Sequence, residues 1–374
     1  MKTIEKEPDL SYCINPRCEE RRNSSHLKQC SSCGTPLLIQ NRYRLIEPIQ
    51  LNDEKYTEIF KIEDLQDNQV IKVMKVLRNP RLKDLFDREA QVLQQLRHPG
   101  IPKVELDGCF TLVLDSEKEI DFLFKKELYC VVMEYIQGQD LEQWLGENRL
   151  VSQDLALQWL KQLVSILDYV HEHNFFHRDI KPSNIMLRPD GQLCLIDFGS
   201  ARQISNTYMA KIGGRRRGLT EIVSSGFTAP EQLNGKAVPQ SDFYALGRSF
   251  VYLLTGKHPV DLPQDQKTGE LAWRGLVPNL SSWLVDLIND LMAYFPGHRP
   301  LNTEEILYRL QNTSVKQNKR NRFLMYGLII INVVIYMILI YTFQVWLTFR
   351  QKNMELEHQL QQKKMEFQRR LNND

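Results

Sequence analysis

Residues 323 to 349, FLMYGLIIINVVIYMILIYTFQVWLTF, contain no charged side chain. About 20 apolar residues in a helix cross the ~30 Å hydrocarbon core of a bilayer, and soluble helices seldom stay uncharged for so long, because one face must meet water. The segment therefore predicts a single transmembrane helix rather than a buried core helix. Tyr326, Tyr336, Tyr341 and Trp346 include side chains suited to the interfaces. Lys319, Arg320 and Arg322 stand before the run and Arg350 and Lys352 after it, so flanking charge does not set the orientation by itself.

The run divides the chain into pieces: a cysteine-bearing head over 1–40, a globular region over 41–312, a basic connector over 313–322, the span over 323–349, and a polar tail over 350–374. The tail has no Gly or Pro and is rich in helix formers. Its apolar positions keep no strict heptad, so a solvated helix is the simpler reading, and a homodimer through tail or span is an alternative. Within the globular region short strands and one helix come first and longer apolar-periodic helices follow. The predicted class is α+β, with a β-rich lobe over about 41–133 and a helical lobe over about 138–312. Forty-eight basic residues against 46 acidic ones leave a formal charge of +2, which gives nucleic acid no electrostatic footing and disfavours a nucleic-acid regulator.

Four of the seven cysteines lie in the head. Cys13 and Cys18 enclose four residues, Cys30 and Cys33 enclose two, and eleven separate the pairs. Two such knuckles suit a tetrahedral Zn²⁺ held by four thiolates, with a redox thiol pair as the competing reading. About 40 residues form little core of their own, so a metal would supply folding energy. Four sulfurs fill the coordination sphere, which predicts a structural zinc with no catalytic role.

The strongest chemical signal is HRDIKPSN (177–184), followed by IDFGSAR (196–202) and APE (229–231). In this order and spacing the motifs resemble the eukaryotic-type serine/threonine protein kinases of bacteria, across about 41–312. The resemblance implies a bilobal kinase fold, ATP and Mg²⁺ as reactants, and protein substrates. Asp179 would orient the substrate hydroxyl and accept its proton, Lys181 would contact the γ-phosphate, and Asn184 and Asp197 would supply oxygen ligands to Mg²⁺. FDREAQVLQQLRHPGI places Glu89 at the family's ion-pair glutamate. VVMEYIQGQDL resembles the hinge, with Glu134 and Ile136 offering backbone groups to adenine and Asp140 near the ribose. Asp242 would support the catalytic loop, and Arg299 would pair with Glu231. In QVIKVMKVL, Lys75 fits the phosphate-binding lysine better than the alternative, Lys72; being an odd number of residues apart in a strand, the two face opposite ways. Thr220, Ser224 and Ser225 are candidate phosphorylation sites, and Arg215, Arg216 and Arg217 a candidate acidic-substrate contact.

One element departs from the family pattern. Between Ile49 and Phe60 the family has a glycine-rich loop over the phosphates; here Gln50, Asn52 and a residue near Lys55 or Tyr56 take the glycine places, and Asp53 and Glu54 add negative charge. A working kinase is the expectation because the metal and base positions are intact, and a pseudokinase or membrane-tethered scaffold with weak nucleotide binding is the alternative. ATP is cytoplasmic, so the expected topology is a single-pass membrane protein with its kinase domain on the cytoplasmic side.

Overall fold

The computed structural model describes residues 10–52, 57–114, 126–148, 150–203, 224–265 and 268–371. The chain forms two compact units, Met1–Leu307 and Tyr308–Asp374.

The first unit begins with a hairpin of β1 (Leu10–Tyr12) and β2 (Arg22–Ser24). A six-stranded antiparallel sheet follows, built from β3 (Leu38–Ile39), β4 (Tyr43–Asn52), β5 (Thr57–Asp64), β6 (Val70–Leu77), β7 (Val104–Leu114) and β8 (Lys126–Glu134) in the order β3-β4-β5-β6-β8-β7. In β5 every second residue is buried: Glu58, Phe60, Ile62 and Asp64. That period of two puts them on one face of the sheet. The face is covered by the head: Ile14 and Ile39 share a buried cluster with Tyr43, Leu45, Phe60, Ile62, Met74, Val76, Leu128, Cys130 and Val132. Tyr12 lies 5.8 Å from the Phe60 ring. The N-terminal segment is thus packed into the core of the β-rich lobe. Helix α1 (Lys83–Gln95), between β6 and β7, carries Glu89 among its buried residues.

The second lobe is mainly helical. A two-residue strand, β9 (Gln139–Asp140), leads into α2 (Leu141–Glu147) and α3 (Gln153–Glu172). The start of α3 is capped by Ser152, whose hydroxyl accepts the Leu155 amide at 3.3 Å. Short strands β10 (Phe175–Phe176), β11 (Ile185–Leu187), β12 (Leu193–Leu195) and β13 (Arg202–Gln203) frame the loops that bear the motifs. Helices α4 (Pro230–Leu233), α5 (Gln240–Thr255) and α6 (Ser282–Leu291) complete the lobe. Nearly every residue of α5 is buried, and the helix ends at Gly256 in the left-handed conformation, φ +67°, with its amide bonded to Tyr252 O.

Helix α7 (Thr303–Leu371) supplies the second unit. Within it Leu328–Met365 has a mean hydropathy of 2.3 in its most apolar window, and none of that window is buried.

Candidate active site

The loop 177–184 leaves β10 and ends in a tight turn at Pro182–Asn184. Its shape is held from beneath by one carboxylate. Asp242, fully buried on α5, accepts the amides of His177 at 2.9 Å and Arg178 at 2.7 Å, and its other neighbour is the His171 ring nitrogen at 2.9 Å. Burial alone would raise the Asp242 carboxyl, but these donors, His171 foremost, hold it below the ordinary value. Two amides bound to one ionised group let Arg178 keep a left-handed backbone, φ +72°. His177 Nε2 donates to Ile196 O (3.1 Å) and the ring sits edge-on to Phe198, and burial lowers its pKa.

On this platform the Asp179 carboxylate is ringed by donors. Lys181 Nζ lies 3.1 Å from its Oδ2, and Asn184 Nδ2 reaches the same oxygen at 3.0 Å and the Asp179 carbonyl at 2.8 Å. The Ser224 hydroxyl donates to Asp179 Oδ1 and accepts from Lys181 Nζ at 2.9 Å. A carboxylate already gripping a serine hydroxyl beside an ammonium group is arranged to orient a hydroxyl and take its proton. Because Asn184 commits its amide nitrogen to Asp179, its amide oxygen is the atom it has to offer a cation, and a hard oxygen suits Mg²⁺.

The second cluster joins the lobes. Lys75 Nζ lies 2.8 and 2.7 Å from the two Glu89 oxygens and 3.2 Å from Asp197 Oδ1. Asp197 takes a left-handed backbone, φ +63°, and the Lys75 charge holds its carboxyl down at about 2. Burial raises the Glu89 carboxyl in spite of Lys75, while burial's pull on Lys75 itself is overcome by Asp197 and then Glu89, which raise it. Gly199 leaves room for this arrangement: a Cβ there would stand 3.2 Å from Glu89 Oε2 and 3.3 Å from Asp197 Oδ1.

Lys72, the sequence alternative to Lys75, is not brought to this cluster. It emerges on the opposite face of the sheet, 6% exposed, with its ammonium 2.8 Å from Asp64, 2.9 Å from Asp67 and 3.0 Å from Glu105. Strand alternation is the reason, and Glu89 marks which face is which.

The hinge residues are partly engaged elsewhere. The Glu134 amide donates to Lys103 O at 2.8 Å and its carboxylate meets Arg188 Nη2 at 2.8 Å. Ile136 is buried. Asp140, read from sequence as a ribose contact, is the N-cap of α2, accepting the Glu142 and Gln143 amides at 2.9 and 2.8 Å. Its placement is that of a capping residue. Gly138 between them has φ +136°, and a Cβ there would fall 2.0 Å from Leu187 O, so the link passes β11 at a point only glycine fits. Arg299 makes a two-pronged pair with Glu231 at 2.7 and 3.0 Å.

In the head, the Sγ atoms of Cys13, Cys18, Cys30 and Cys33 all lie within 4.8 Å of one another. Cys13 and Cys33 sulfurs are 3.6 Å apart, Cys18 and Cys30 sulfurs 3.5 Å. Zn–S bonds of ~2.3 Å in a tetrahedron need sulfurs ~3.8 Å apart, so the set fits zinc. All four cysteines are free thiols. Asp53, Glu54, Lys55 and Tyr56, and likewise Arg215, Arg216, Arg217 and Thr220, lie outside the described residues.

The sequence reading missed Arg21 and Glu58. Arg21 of the head reaches into the sheet and pairs with Glu58 through both guanidinium nitrogens, each at 3.0 Å. A charged residue at an inward position of an alternating strand, as Glu58 is two residues before Phe60, was the available signal.

These features define a bilobal phosphotransfer scaffold. A protein kinase domain model matches residues 55–309. The chain is 30% identical over 315 residues to serine/threonine-protein kinase B of Synechocystis sp., covering 81% of this chain and 52% of the relative. It is 32% identical to serine/threonine-protein kinase F of the same organism (82% and 64%) and 33% identical to serine/threonine-protein kinase PknA of Nostoc sp. (73% and 48%). The chain belongs to the protein kinase family, and its bacterial relatives are of the serine/threonine type. It spans between about half and just under two thirds of the length of these relatives.

Proposed function

We propose that the protein is a membrane-anchored serine/threonine protein kinase that moves the γ-phosphate of ATP to protein hydroxyls. The observation that carries this reading is the convergence of two clusters from both lobes: Lys75, Glu89 and Asp197 in one, Asp179, Lys181 and Asn184 in the other. Phosphoryl transfer asks mainly for positioning and charge neutralisation. Lys75, fixed by Glu89, would place the phosphates; Lys181 would offset charge on the transferred group; Asp179 would hold the incoming hydroxyl and accept its proton. Mg²⁺ on Asn184 and Asp197 would supply the cationic charge that draws the phosphate oxygens together. The Glu134 and Ile136 backbone is the reading for adenine. Cys13, Cys18, Cys30 and Cys33 would hold a structural Zn²⁺.

The fully exposed apolar stretch of α7 supports a lipid-spanning role, since exposed Ile, Leu and Val over such a length are unfavourable in water. In this topology the kinase unit is cytoplasmic and the polar tail lies across the bilayer. The test is phosphate incorporation by the purified full chain in detergent, with ATP and Mg²⁺, into itself or a generic protein. The expected result is transfer that Asp179→Asn lowers by at least ~10²-fold. No incorporation, with Asp179→Asn indistinguishable from the parent, overturns it in favour of a pseudokinase, the reading that the glycine-free stretch at 50–56 favours.

A further inference from the structure

Arg21 is tied to the metal knuckle and to the catalytic lobe at once. Its Nε donates to Cys13 O at 2.8 Å and its Nη2 to Ile14 O at 3.3 Å, while its own carbonyl accepts the Cys13 amide at 2.7 Å. That carbonyl also accepts Asn23 Nδ2 at 3.1 Å, and the same Asn23 nitrogen lies 3.4 Å from Cys30 Sγ. Arg21 thus reaches the first cysteine pair through its guanidinium and the second through its backbone carbonyl and Asn23. The guanidinium is stacked 4.9 Å over the Tyr12 ring and 5.5 Å over the Phe60 ring, and grips Glu58, whose side chain is 4% exposed.

Glu58 stands where a push from the head reaches the nucleotide lysine. It is the second residue of β5, paired with Leu51 on β4 and with Val76 on β6. The next residue, Ile59, is paired with Lys75 itself. Arg78, one residue beyond β6, is the other cation near Glu58, at 3.7 Å. A fork-shaped guanidinium on a buried carboxylate fixes both position and direction, which a point charge does not.

We propose that Arg21 and Glu58 are positioning residues that couple metal occupancy of the head to nucleotide affinity: the four thiolates, closed on a metal, hold Arg21 so that it locks β5 and β6 where Lys75 meets the phosphates. The head is then an affinity-setting part of the kinase lobe, and one of the strands it acts on, β5, directly follows the glycine-free stretch at 50–56. The proposal rests on the kinase and zinc readings above.

The experiment uses the full chain in detergent. Arg21→Met removes the fork but leaves the cysteines and apolar packing, and Arg21→Lys restores the charge alone. Zinc per chain is measured by elemental analysis, and KM for ATP, KM for a protein substrate and kcat are separated. Arg21→Met is expected to keep its zinc and raise KM for ATP about tenfold with kcat and protein KM near the parent's, and Arg21→Lys to recover part of that. Binding of a fluorescent ATP analogue reads the same change without turnover. Stripping zinc from the parent with a chelator is expected to weaken analogue binding by a similar factor, and from Arg21→Met to add little. A parent-like analogue affinity in Arg21→Met, or equal losses on stripping in both proteins, overturns the coupling while leaving the kinase reading standing. A parent that binds no ATP analogue overturns both.

Discussion

Lys72 and Lys75 leave β6 three residues apart, on opposite faces of one sheet, and each ends against carboxylates. On the outer face Lys72 meets Asp64, Asp67 and Glu105, and Arg42 meets Asp64 and Asp107, so two cations are shared among four carboxylates around the buried Asp64. On the inner face Lys75 meets Glu89 from α1 and Asp197 from the helical lobe, with Asp197 about half exposed. The outer network joins strands of one lobe, whereas the inner one joins parts that a kinase must bring together to act. The difference teaches that a buried lysine in this fold is read from its partners' origins: carboxylates from one sheet make a staple, and carboxylates from separate elements make a site.

Exchange of each lysine for methionine breaks the comparison most directly. Lys75→Met is expected to lower phosphoryl transfer by at least ~10²-fold with little change in the thermal midpoint, since the proposed function gives it the placing of phosphates. Lys72→Met should keep activity near the parent's while lowering stability, by leaving Asp64 one partner short. Activity and unfolding measured on both proteins decide it; equal losses of activity would erase the distinction between the faces.

Asp64 sharpens the outer half. Burial would raise its carboxyl, but hydrogen bonds from Arg42 and then Lys72 pull it down to about 2. Asp64→Asn should cost ~3 kcal/mol at neutral pH, because two buried cations lose their shared partner. A carboxylate depressed in the folded state stabilises above its unfolded pKa of ~3.9, and that contribution is lost as pH falls towards 2. The gap between parent and variant in chemical unfolding should therefore be full above about pH 4 and narrow below it. A gap that does not change with pH would assign the loss to packing.

The smallest effect is expected at the end of β4. Glycine at Gln50 and Asn52 should lower KM for ATP by ~3-fold, by freeing backbone amides to approach the phosphates. An unchanged KM would show that these strands bind nucleotide by another geometry, one in which Arg21 and Glu58 carry more of the placement.

Much of the catalytic lobe was legible because its chemistry is written in contiguous runs. HRDIKPSN carries Asp179, Lys181 and Asn184 within eight residues, and a short loop leaves them few ways to be apart. The Arg299–Glu231 and Asp242 contacts were likewise anticipated from motif positions. Asp140 was read only as a ribose contact; the structure adds that its Oδ1 accepts the Glu142 and Gln143 amides and caps α2, because the backbone after it turns into a helix.

The sequence by itself determined the α+β class, the order of the lobes, the cysteine spacing and the fact that Lys72 and Lys75 must point opposite ways, because periodicity and short spacings are local properties of a chain. The tertiary structure decided which of the two lysines joins the lobes, by delivering Glu89 and Asp197 to the Lys75 face. It also decided that the head is built into the kinase lobe, through Ile14 in the sheet's core and Arg21 on Glu58, a pairing 37 residues apart in the chain. Such contacts arise from how whole elements pack, and no local pattern encodes them.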